Sequence, residues 1–331
     1  MNSSVDVAIQ FAIPFDHNIF VEQEVLGLRI DIEVSGVPAK LEFPSEQAGQ
    51  SALAAPASIV RSVEKHLPDE IWGVKRDIEY IELTSALISV PAQTRLDFDL
   101  NADQVSGYQM LVENVSDWWE SFCRWLWSIT AQSLNPVDPD PKVIHRRSKS
   151  VVTMVGCGEN SSIPTVASPI ITISVSGTGV SAERLINARV LQKAINSIGS
   201  EVPLYLELFA SARMAARRGD PRRSIIDAGS ACETVLSSLL TLPAGHKFTL
   251  GGLVSQAINQ GHILHSDIKS ALVDLRNDAV HRGSVPHNAD VNRVLEISEE
   301  LITMWDSQHI KSSSLKPFNR PQRHDLVLIR A

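Results

Sequence analysis

Residues 271–283 read ALVDLRNDAVHRG, and the spacing in and around this stretch decides the character of the C-terminal half of the chain. Ile268, Leu272, Leu275 and Ala279 recur three and four residues apart. That period predicts an amphipathic helix from about Asp267 to His281, capped by Ser266 and stopped by Gly283 and Pro286. Asn277 and His281 are i and i+4 and share a face. In α-helical geometry Arg276 starts about 140° from His281, within the swing of a long side chain. An arginine, an amide and a histidine at one helix end suit phosphoryl chemistry on RNA. Histidine exchanges protons near neutral pH, and arginine binds phosphate oxygens bidentately. The 2′-hydroxyl of RNA is an internal nucleophile, so a base and a cation suffice for cleavage, with no metal or other cofactor called for. The same residues also read as C-terminal cations set against the helix dipole.

Outward from this stretch, residues 181–310 carry one helical pattern after another. Candidates run from Ala182 to Ile198 and from Pro203 to Arg218, where Gly219 is the stop. Asp220 and Pro221 supply an N-cap and a first-turn proline for a third helix bearing Ile225, Ile226, Cys232, Val235, Leu236, Leu239 and Leu240. Thr249 caps Leu250 to Gln260, which stops at Gly261, and a last helix spans Ala289 to His309. Residues 311–331 form a C-terminal tail.

Residues 1–180 are of strand type. Leu26, Leu28, Ile30, Ile32 and Val34 alternate with Gly27, Arg29, Asp31 and Glu33, which predicts a strand with one buried face. Further candidate strands are Val5 to Ile13, Val37 to Phe43, Ile71 to Val90 (where the phase slips), Val151 to Val155 and Ile163 to Val175. Gly49 to Ser58 reads as a loop, with a helix from Ala57 to His66 as an option. One Trp-rich helix is expected at about 109–131, holding four of the six tryptophans. An aromatic stripe at helical spacing reads as core rather than as a base-stacking platform. A connector, NPVDPDPKVIHRRSKS, follows at 135–150. The expected fold class is α+β, a β-rich N-terminal region followed by an all-α helical bundle, with a sensing or binding role for residues 1–180.

The order of the C-terminal helices, GGLVSQAI, then a helix ending LRNDAVHRG, then a long final helix, resembles the HEPN superfamily (higher eukaryotes and prokaryotes nucleotide-binding). Its signature is an arginine, four to six residues and a histidine, usually with a polar residue after the arginine; Arg276, Asn277 and His281 match it. The likeness covers about residues 200–310. It implies a helical domain that forms a homodimer, so that two Arg/His sets share a cleft. It also implies a metal-independent endoribonuclease of toxin–antitoxin or antiphage-defence systems, leaving a cyclic phosphate and a 5′-hydroxyl. His281 would then be general base or acid, Arg276 would hold the scissile phosphate, and Asn277 would orient either. Gly283 stands where a toxin branch silenced by nucleotidylation carries tyrosine, which argues against that control. An antitoxin or trigger protein is the partner implied besides RNA. Inactive members that only dimerise or bind a ligand give the alternative.

Other features set limits. Arg213, Arg217, Arg218, Arg222 and Arg223 crowd one helix junction and read either as an RNA-phosphate patch or as a solvated corner. Glu233 falls beside an apolar stripe; a surface position is preferred, with pairing to Arg276 as the alternative. His262 and His265 form an H-x-x-H in a turn and lack the further ligands of a metal site. The GCG at 156–158 reads as a turn. Cys123, Cys157 and Cys232 are far apart, so a disulfide framework is not indicated. No apolar run is long enough for a membrane span, and the first twenty residues lack the basic start of a signal peptide, so no membrane partner and a cytoplasmic location are expected. The formal charge is −8, which disfavours a basic nucleic-acid binder, yet it is unevenly spread. Residues 1–180 hold 12 Lys+Arg and 23 Asp+Glu, whereas residues 181–331 hold 18 and 15, so the acidity belongs to the β-rich part.

Overall fold

The computed structural model describes residues 8–58, 72–75, 81–91, 102–132, 185–243, 245 and 247–310. The expected strands Val151 to Val155 and Ile163 to Val175, the connector, the tail, Cys157, the GCG turn and most of the optional helix Ala57 to His66 lie outside the described residues. The chain divides into two compact units, Met1–Ala210 and Ser211–Ala331. An antiparallel sheet in the first and helices later in the chain make the fold α+β.

The sheet is built from β1 (Ala8–Val21), β2 (Arg29–Val34), β3 (Val37–Glu42), β4 (Gly73–Lys75) and β5 (Ile81–Pro91), in the order β1-β5-β3-β2, with β4 also pairing with β5. β2 and β3 form a hairpin whose two central residues, Ser35 and Gly36, both take positive φ, as a tight two-residue turn requires. The alternation expected from Leu26 holds only from Arg29, because Gln23–Val25 make a 3₁₀ turn and Gly27 reverses the chain with φ +68°. The slip of phase before Val90 also has a cause. β5 has neighbours on both edges and is buried nearly throughout, so neither of its faces needs to be polar.

Within this unit the Trp-rich helix is α1 (Ala102–Thr130), which starts earlier than its apolar pattern suggested. Trp118, Trp119 and Trp125 are buried, and Trp119 stacks on Phe15 of β1 at a centroid distance of 5.3 Å, so the stripe is core. The carboxylate of Glu42 is buried yet satisfied: it accepts from Arg29 Nε at 2.6 Å, Ser58 Oγ at 2.6 Å and Ser89 Oγ at 3.2 Å. α2 (Ala188–Asn196), capped by Asn187, packs on α1, and Ile186 bridges β1. These contacts carry the first unit past residue 180, to Ala210 within α3 (Leu204–Arg217).

The second unit is a helical bundle. After the end of α3 come α4 (Pro221–Leu239), α5 (Leu250–Asn259), a motif helix made of three pieces, Ile268–Asp274, Leu275–Asn277 and Asp278–Arg282, and α6 (Asn288–Ile310). Asp220 caps α4 by accepting from the Arg223 amide, and Thr249 caps α5 through the Gly252 amide. Ile225, Ala228, Cys232, Val235 and Leu236 of α4 are buried, as are Val291, Val294, Ile297, Leu301 and Trp305 of α6; α4 packs against α5, α6 and the motif helix. Among the described residues no helix is long and apolar enough to cross a membrane.

Candidate functional site

The motif helix departs from the expected geometry in two ways. Ser266 does not cap it; its hydroxyl donates to the Asp267 carboxylate, and the helix begins at Ile268. Asp267 also accepts from Arg293 of α6 at 2.7 Å, and hydrogen bonds from Arg293 and Ser266 hold its carboxyl below the ordinary range. Secondly, the first and last pieces are π-helical, and the Gly283 amide bonds back five residues to the Asp278 carbonyl. A turn closed by five-residue bonds rotates each residue less than the about 100° of an α-helix. Over such a turn the ideal angular separation of Arg276 and His281 is below the about 140° of a regular α-helix. Gly283, with φ +66°, ends the helix in a left-handed conformation.

On this turn the three expected site residues differ in setting. Asn277 and His281 are exposed, whereas the Arg276 side chain is only 18% exposed. Arg276 donates from a terminal nitrogen to Glu233 Oε2 at 3.1 Å, so Glu233, expected at the surface, is instead half-buried and ion-paired. The remaining Arg276 Nε is buried with no partner, leaving one donor unused. Val280 and Val285, on either side of His281, are exposed apolar residues. Arg282 closes a surface pair with Asp278 at 3.1 Å.

What holds the turn comes from α4. Arg222, Gly229 and Glu233 are seven and then four residues apart, which places them within about 40° of one another along one stripe. Arg222 Nε donates to the Ala279 carbonyl at 2.9 Å. A methyl group added at Gly229 would stand 2.8 Å from Cγ of Arg276, so the glycine is the space through which the arginine stem passes. Glu233 then meets the guanidinium. The sequence signal for this support was the seven-plus-four spacing, invisible until the facing helix is known.

The arginine cluster resolves into separate roles. Arg213 is buried and donates to Glu299 of α6 at 2.7 Å, so it is a bundle tie and does not belong to a phosphate patch. Arg223 uses its Nε on Asp227 at 3.4 Å. Arg217, Arg218, Arg222 and Arg223 stay exposed around the Gly219–Asp220 corner, where burial first and the Arg223 charge second lower the Arg218 pKa. In the H-x-x-H, His265 accepts the Asp267 amide at its Nδ1 at 3.0 Å and lies 2.9 Å from Arg293 through Nε2, so both ring nitrogens are engaged within the fold. Comparison of the chain with known protein families, curated proteins and solved structures returns no match.

Proposed function

We propose that the unit Ser211–Ala331 is a metal-independent endoribonuclease of the HEPN type, working as a homodimer, and that the protein is a toxin or antiphage effector in the cytoplasm. The observation that carries this is one widened helix end that offers an exposed His281 and Asn277 together with Arg276, itself braced by Glu233. His281 takes the proton of the RNA 2′-hydroxyl as its oxygen attacks phosphorus. The bond from phosphorus to the 5′-oxygen breaks, a second copy's His281 returns a proton to that oxygen, and a 2′,3′-cyclic phosphate remains. Arg276 stabilises the added negative charge on phosphorus through its guanidinium. Asn277 orients the phosphate or the imidazole. Residues 1–180 sense a trigger or bind a restraining antitoxin.

His281→Ala and Arg276→Ala, assayed on RNA with chelator present, test the reading. The expected result is loss of cleavage by about 10²-fold or more in both; cleavage untouched by either change overturns it. One observation favours a second reading, an inactive dimerisation or ligand-binding module. The guanidinium of Arg276 already has a carboxylate partner. That reading expects no chain, wild-type included, to cleave RNA, while all dimerise alike.

A further inference from the structure

We infer that Arg222 is a positioning residue for His281, acting by capping the helix end that carries it; this rests on the nuclease reading. The last carbonyls of a helix lack intrahelical amide partners, and an end that presents a reactive side chain frays unless something else binds them. Ala279 is such a residue. It is buried, three residues after Arg276 and two before His281, and its carbonyl accepts Arg222 Nε at 2.9 Å. Nothing local in sequence makes that bond, since 57 residues separate the pair.

Arg222 is itself well fixed. It is the second residue of α4, after Pro221 at the first position, in the turn that Asp220 caps. Farther along the same face, Gly229 and Glu233 hold Arg276, so one stripe of α4 sets both functional side chains of the turn. Arg222 grips the backbone under His281, and Glu233 grips the guanidinium of Arg276. The role differs from that of a phosphate-binding cation, because the nitrogen engaged is Nε and its acceptor is protein backbone.

The chemistry of substitution separates the two roles. A glutamine places its amide nitrogen the same number of bonds from Cα as arginine Nε, keeping the donor and losing the charge. Lysine keeps a donor and the charge, and alanine loses both. The experiment compares Arg222→Gln, Arg222→Lys and Arg222→Ala in the full chain by kcat and KM on RNA, and by amide hydrogen exchange over residues 277–284. Positioning predicts kcat and KM near wild-type for both the Gln and Lys variants. The Ala variant then loses about 10–100-fold in kcat and exchanges about tenfold faster at the helix end. The inference is overturned if Gln falls with Ala while Lys holds, which assigns a purely charged role, or if Ala exchanges at the wild-type rate. Failure of the nuclease reading looks different: cleavage independent of His281, or none in the wild-type chain, whatever the exchange rates.

Discussion

Gly229 shows how a residue with no side chain controls one that has a long one. Its hydrogen stands where any Cβ would meet Arg276 Cγ at 2.8 Å, too near the backbone end of the arginine for an easy rotamer change. Gly229→Ala is therefore expected to cost about 1–3 kcal/mol in denaturant unfolding, despite the gain in helix propensity, and to weaken RNA cleavage along with it. Cys232 is the opposite case, a reactive atom kept inert. It is fully buried, and burial pushes its thiol up to about 12, the nearby Ser298 hydroxyl acting weakly the other way. The native protein should resist alkylation at Cys232 at neutral pH and react once unfolded, as mass spectrometry would read. Between the ordinary value of 9.0 and about 12 the native state holds a proton that the unfolded chain has released. The contribution of this site to stability is thus complete below pH 9.0 and is lost as the pH climbs toward 12.

At the scale of elements, the ends of helices matter more than their middles. α4 carries the stripe that braces the motif helix, and its start depends on one carboxylate, Asp220, accepting the Arg223 amide at 3.1 Å. Asp220→Ala should cost about 0.5–2 kcal/mol, seen as a lower unfolding midpoint. Because Arg222 lies in the same turn, hydrogen exchange should also quicken over residues 277–284, far away in sequence. The motif helix ends on Gly283 at φ +66°, a conformation that costs other residues about 1–2 kcal/mol. Gly283→Ala should accordingly loosen the π-helical turn and lower kcat more than KM.

For the whole molecule, the uneven charge would govern how the proposed nuclease meets RNA. The first 180 residues are acidic, and the remainder has a small basic excess, so binding should be local and salt-sensitive rather than tight everywhere. Exposed Val280 and Val285 flank His281, where the proposed dimer brings two copies together. Cleavage per mole of protein should consequently fall on dilution, in step with dissociation measured by sedimentation. Constant specific activity down to concentrations where only monomer sediments would overturn the shared site.

Residue order alone sets what local chemistry can dictate. The caps at Asp220 and Thr249, the stops at Gly219, Gly261 and Gly283, the alternation from Arg29 to Val34 and the tryptophan core of α1 all depend on neighbours within a turn or on burial of one face. Arg276, Asn277 and His281 could be read as a candidate group for the same reason, being close along one helix. Their setting comes from helices distant in sequence. The π-helical widening, the Arg276 pair with Glu233 across 43 residues, the Arg222 grip across 57 and the diversion of Arg213 to Glu299 need a partner from another helix. A charged side chain's role is fixed by the nearest opposite charge or open carbonyl, and in a folded chain that neighbour is set by packing rather than by order in the sequence.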